Sequence, residues 1–425
     1  VRSSIKVVGG LFACAASFTV FCNIYSPDLV KSGDASAPQG QGLGWWSGTG
    51  SAGCYSAKMP TVADRPKSTD ATEDAPIYLA IRELRMGSRN PDGTANANAW
   101  QDLGMDVDNT CTSSPTCDTK DPIVSCKPNG AAIPVDGNYC RDNTFGKLEG
   151  QASTIPEVGG KYGLNDEAFN CALCRGDYNF IIRISKYNGK DTDDHVRVDF
   201  YPSPGLMAPL PWDCSQPTWR NHPCFTADSP WLISDDGVIA KTPGPDLSDA
   251  VLADPDAFVK NGYIVVQLPT DTVLWFPGHR ALATAFPLKF SKGVVAGRLK
   301  KSSDGTWTID DGTIAGRARK DDVVLGFRLI GFCDSDPNYK LMQNFLSTGL
   351  DVLADGRTDP TTTCDGISIG IGFTASQSVA GNLAHVDPLV ECAPSGDGGV
   401  DGGTDAALDA PKDAPTDGPV DAGKG

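Results

Sequence analysis

Twelve cysteines lie between Cys54 and Cys392, and no other feature narrows the folds open to this chain as much. An even number outside a leader is what a disulfide framework requires. Zinc is the competing use of thiolates, and Cys171-Ala172-Leu173-Cys174 followed by Cys214 and Cys224 supplies four. Nine residues separate Cys214 from Cys224, too many for a zinc-ribbon knuckle, and an oxidising compartment pairs thiols first. A disulfide is expected between Cys333 and Cys364. The first ends the apolar run Val323 to Phe332 and the second precedes the run Ile367 to Thr374, so both stand at the feet of a helical crossover.

The other two cysteines, Cys14 and Cys22, fall in an uncharged, mostly apolar run from Val7 to Tyr25 that follows Arg2 and Lys6. Residues 1–26 therefore read as a signal peptide or lipoprotein leader. Leu11-Phe12-Ala13-Cys14 resembles a lipoprotein box, which makes Cys14 a candidate for lipidation. Residues 27–74 read as a flexible linker. Beyond Pro394, aspartate recurs every fourth residue from Asp397 to Asp421 among Gly and Pro, which forbid a helix, so 394–425 is expected to be a disordered spacer. These features predict an extracytoplasmic protein, secreted or held at the envelope, that meets a membrane only through a lipid or an N-terminal anchor.

Of the 53 acidic residues only six are glutamate, which leaves 47 aspartates. Glutamate favours helix interiors whereas aspartate favours turns, caps and metal loops. A net charge of -17 excludes a nucleic-acid partner, since phosphate binding needs a cationic face.

Residues 75–393 form the body, a β-rich, disulfide-stabilised domain, with a loop-rich insertion expected over 110–160. Ile77, Leu79 and Ile81 alternate, and Leu84 and Met86 resume after a phase slip that predicts a bulge. Tyr178 to Tyr187 and Val196 to Tyr201 read as paired strands, and Phe258-Val259 and Tyr263 to Leu268 flank Asn261-Gly262, a hairpin signal. Asp310-Asp311-Gly312 reads as another hairpin turn, and Val323 to Phe332 and Ile367 to Thr374 as central buried strands. A single late helix is expected after Asp336-Pro337, from Tyr339 to about Leu353. Many short strands and one helix predict an antiparallel β-sandwich or jelly-roll-like body.

Several stretches carry a resemblance. Asn98-Ala99-Trp100, Met105-Asp106-Val107-Asp108-Asn109-Thr110-Cys111-Thr112, Asp136 to Gly146 and Cys364 to Phe373 resemble uncharacterised exported, lipoprotein-like proteins of myxobacteria and their relatives, which carry Asp/Gly/Pro-rich spacers. The resemblance implies export and brings no catalytic residues with it.

No nucleophile elbow, zincin helix, P-loop or dinucleotide fingerprint occurs, and His195, His222, His279 and His385 are scattered, so His222 is not expected to bind metal. The chemistry best served is calcium, which takes oxygen ligands from turns. Asp106, Asp108 and Asn109 make one candidate cluster, Asp136, Asn138, Asp142 and Asn143 a second, and Asp191, Asp193 and Asp194 a third. Asp106, Asp108, Asn109, Asp142 and Asn143 are the preferred ligands, and solvated turns are the alternative for each cluster. Trp45-Trp46 and Trp212, Trp219 and Trp231 suggest sugar stacking or core packing. Two functions follow: an envelope or secreted module binding a glycan, calcium or a surface protein, or a secreted hydrolase with an unrecognised active site.

Overall fold

Alternation of apolar side chains builds eight strands that pair in chain order. The computed structural model describes residues 43–68, 70–117, 123–130, 133–152, 165–212, 214, 219–241, 247–276, 286–329, 331–387 and 392. The leader with Cys14 and the spacer after 393 lie outside them. The strands are β1 (Ile77–Arg85), β2 (Asn179–Ser185), β3 (Thr192–Ser203), β4 (Leu252–Lys260), β5 (Tyr263–Leu268), β6 (Lys292–Lys301), β7 (Trp307–Arg319) and β8 (Gly366–Gln377). Each is antiparallel to the next, and β8 returns to β1, so an up-and-down barrel closes. The expected sandwich is thus corrected. Alternation marks which face is buried, but closure rests on the pairing of β8 with β1, between segments nearly three hundred residues apart.

Inside, Leu79, Ile81, Ile182, Val198, Phe200, Val266, Val295, Ile314, Ile369, Ile371 and Phe373 form one buried core. Leu274, Leu288 and Phe290 join it from a hairpin, Thr272–Phe276 with Phe286–Phe290, inserted between β5 and β6. The void left among these side chains is about 10 Å³, roughly one water sphere, so the interior is a packed core rather than a ligand chamber. The register between β8 and β1 slips at Thr374/Ala375, which is the bulge expected between Ile81 and Leu84. At the β4–β5 turn both Asn261 and Gly262 have positive φ, as a tight hairpin demands.

The outer face is covered too. Phe225, Trp231, Ile233 and Val238 lie over Ala80, Ile181 and Tyr201. Met105, Val107 and Val352, with Trp45, Trp46 and Met59, lie over Phe258, Val265, Val294, Ala296 and Ala315. Burial on both faces explains why the strands read as near-continuous apolar runs. It also corrects the flexible linker over part of its length: within 27–74, Trp45, Trp46 and Met59 pack on the barrel, Leu43 and Ala57 are buried, and Cys54 is bonded to Cys117.

Among the described residues four α-helices replace the expected one: α1 (Thr144–Ala152), α2 (Asp166–Arg175), α3 (Lys320–Leu329) and α4 (Tyr339–Thr348). α1 lies in the 110–160 region read as loop, and α3 occupies most of the run read as a strand. A short apolar run does not distinguish strand from helix. Asp321 and Asp322 in the first turn and Arg328 in the last complement the helix dipole and favour the helix here. Asp310-Asp311-Gly312 is a bulge inside β7 rather than a hairpin turn.

Among the described residues the disulfides are Cys54–Cys117, Cys111–Cys140, Cys126–Cys364, Cys171–Cys214, Cys174–Cys224 and Cys333–Cys392. The expected Cys333–Cys364 bridge is therefore wrong. Residues Asp359–Thr363 run parallel to Cys126–Lys127, which sets Cys364 beside Cys126 at a Cα–Cα distance of 5.2 Å. Six disulfides point to an oxidising, extracytoplasmic environment.

Candidate metal centre

Small residues on the outside of β8 let a second layer of backbone approach the barrel. In Ile367 to Phe373 the isoleucines and Phe373 point inward, leaving Ser368, Gly370 and Gly372 outward. A Cβ at Gly370 would sit 2.5 Å from the Cα of Gly104, so glycine is required for this contact. The approach seats Met105 to Asp108 on the barrel. Met105 and Val107 bury their side chains against it, while Asp106 and Asp108, two residues apart, share the opposite side.

Asp142 meets them from the start of α1. Its Oδ2 accepts the N–H groups of Val107 at 2.7 Å and Asp108 at 3.2 Å. Carboxylate oxygens of Asp106, Asp108 and Asp142 all lie within 4.8 Å of one another, and all three residues are buried. Asp136, which accepts from the Thr112 N–H, and Asp351 line the same small cleft with Asp108 and Asp142. Asp351 is held by the Ser368 N–H at 2.8 Å and by the hydroxyls of Thr144 and Ser368. The cleft volume is about 10 Å³, room for a single small ion or water.

Burial raises the pKa of every one of these acids. Asp106 is pushed up to about 7, chiefly by burial and further by the Asp108 charge, against the hydrogen bond from Ser56. Asp108 is raised by burial and eased by Ser125, the Thr110 N–H and Arg317. Asp136 and Asp142 are raised well above the usual carboxylate range by burial, with the neighbouring aspartates adding to it. Asp351 reaches about 6 for the same first reason. The guanidinium of Arg317 is engaged by the carbonyls of Leu353 and Val107, both at 2.6 Å. Two unit charges 4.8 Å apart repel by about 3.5 kcal/mol at an effective dielectric constant of 20. The ionised cluster therefore needs either protons or a cation.

The donor set fits a hard cation. It consists of oxygen only, with no imidazole or free thiolate, which disfavours zinc and copper. Oxygens that share a calcium ion at about 2.4 Å can be no more than about 4.8 Å apart, and the three carboxylates meet that limit. Comparison with protein-family models, curated proteins and solved structures finds no match to the chain.

Of the expected ligands, Asp106, Asp108 and Asp142 converge and two do not. Asn109 adopts φ 59° and is exposed on the turn. Asn143 is occupied structurally: its Oδ1 accepts from the N–H groups of Gly146 and Gly370, each at 2.9 Å, and its Nδ2 donates to the Trp100 carbonyl. Asp193 caps the β2–β3 turn by accepting from Asn188 and His195, so the third cluster is a turn. Asp351 was not expected. A lone acid inside the apolar run Leu350 to Leu353 was its signal. The tryptophans offer no open platform: Trp231 and Trp219 are buried, and Trp212 is stacked between Trp219 and His222.

Proposed function

We propose that this chain is an extracytoplasmic binding or structural module whose barrel is locked by disulfides and by a calcium ion at the acidic cleft. The observation that carries this reading is the convergence of three buried carboxylates within 4.8 Å, with two more aspartates at the same cleft. A single Arg317 beside them balances only part of that charge. The ion would be held by Asp106, Asp108 and Asp142, with Asp136 adjoining. It would tie the Met105 to Asp108 segment, the start of α1 and the β8 face into one unit. Its role is stabilisation, since the cleft has no room for a substrate beside the ion. Association with an envelope, through the N-terminal leader, and likeness to exported myxobacterial proteins belong to the same proposal.

The test is calorimetric titration of calcium into chelator-stripped protein, with magnesium in parallel. A one-to-one isotherm with Kd of about 10⁻⁴ M or tighter is expected, by analogy with extracellular calcium modules. Absence of heat and of any thermal stabilisation at 10 mM calcium would overturn the reading.

A further inference from the structure

A second polar cleft, separate from the acidic one, lies on the outer face where β1, β8 and β7 adjoin. Its volume is about 160 Å³, and its lining includes Arg85, Asn90, Asp102, Asp311, Thr313 and Gly372. The side chain of Arg85 leaves β1 and crosses Gly372 of the paired strand. A Cβ at Gly372 would stand 3.1 Å from both Nε and Nη2 of Arg85, so the glycine keeps the guanidinium in place over the sheet. The Arg85 guanidinium makes no hydrogen bond or ion pair within 4 Å among the described residues; it feels the charge of Glu83 on the same strand, and its Nε is buried without a partner. A buried guanidinium N–H left without a partner is costly unless something in the cleft beside it accepts from it.

Asp311, at the β7 bulge with φ 49°, lines the same cleft. The Arg298 guanidinium feels its charge, but no ion pair within 4 Å engages it among the described residues. The cleft is thus lined by the Arg85 guanidinium, the Asp311 carboxylate and Thr313, while the Asn90 amide is already engaged by Thr94 and Asn96. A guanidinium fork matches a carboxylate bidentately, and a carboxylate accepts from hydroxyl or ammonium groups. Arg89 also lines the cleft but is engaged by the Gly93 carbonyl and by Glu167, so Asp311 and Asp102 would repel a doubly charged anion.

We propose that this cleft binds a small monocarboxylate bearing hydrogen-bond donors, its carboxylate on Arg85 and its donors on Asp311. A uronic acid unit of a glycan and a free amino acid both carry that chemistry.

The experiment is titration of the intact protein with D-glucuronate, D-galacturonate and L-alanine, with D-glucose as the neutral control, followed by NMR or calorimetry. Saturable millimolar or tighter binding is expected for at least one carboxylate, with D-glucose at least tenfold weaker. Saturation by a uronate identifies a glycan source, and saturation by L-alanine an amino-acid source. Arg85→Met should weaken that binding about ten- to hundredfold, the loss of a charge-assisted pair. Asp311→Asn, a residue that tolerates the same left-handed backbone, should weaken it by a smaller factor without unfolding the bulge. Failure of every carboxylate to saturate at 20 mM overturns the proposal. So does equal binding of D-glucose, or binding that folded Arg85→Met and Asp311→Asn leave unchanged.

Discussion

Replacing Asp142 by asparagine separates a calcium centre from a merely buried acidic knot, because the two readings predict opposite signs. Asparagine keeps an Oδ1 that can accept the Val107 and Asp108 N–H groups, so the local backbone support survives. What it removes is one negative charge within 4.8 Å of two others. Each such pair is worth about 3.5 kcal/mol of repulsion at an effective dielectric constant of 20. Protonation relieves most of this in the wild type, so Asp142→Asn in chelator at pH 8 should be more stable by roughly 1–2 kcal/mol. In 10 mM calcium the order should reverse. A site with Kd near 10⁻⁴ M then stabilises the wild type by about 2.7 kcal/mol, a Tm rise of about 4 °C for a body of this size, and the variant forfeits most of it. Differential scanning calorimetry in the two buffers reads both signs. A variant destabilised equally with and without calcium would show that Asp142 serves only as a hydrogen-bond acceptor, and the metal argument would fail.

Three further outcomes follow from the same geometry. Glu149 is pushed up to about 8 by burial and by the Asp166 charge beside it, so it folds preferentially as the acid. The stability it contributes is complete below its unfolded pKa of about 4.5 and is lost as pH rises through about 8, so Glu149→Gln should flatten the decline in urea midpoint over that window. An unchanged pH profile would refute the assignment. Non-reducing peptide mapping should recover Cys126 linked to Cys364. Replacing both by serine should cost up to about 5 kcal/mol, given a sequence separation of 238, and a Cys333–Cys364 peptide would contradict the fold around β8. Gly370→Ala drives a methyl into the Gly104 backbone, so a loss of about 1–3 kcal/mol in urea unfolding and a weakened calcium response should appear together. A calcium response that survives in full would detach the site from that contact.

What could be read from the residues was local. The β2–β3 and β4–β5 hairpins were legible because turn residues and alternation lie within one short window, and the bulge in β1 because a phase slip is visible in five apolar positions. The pairing of β8 with β1 and the bridge from Cys126 to Cys364 join segments with no local signature of each other, so neither barrel closure nor that disulfide could be inferred. The acidic centre shows the same division. Asp106 and Asp108 announce themselves by spacing alone, and Asp142 by its own turn. Their convergence depends on Gly104 and Gly370, which meet only because the barrel presents β8 outward at that point. Asp351 arrives from the other side of β8, in a segment whose apolar neighbours mask it as core. The ISIGIGF pattern of Ile367 to Phe373 links these facts. Its inward isoleucines close the core, and its outward serine and glycines admit the aspartate-bearing layer. One strand therefore both completes the barrel and forms the floor on which the charged cluster is assembled. The burial that raises those carboxylates, and leaves them to take up either protons or a cation, follows from that double role.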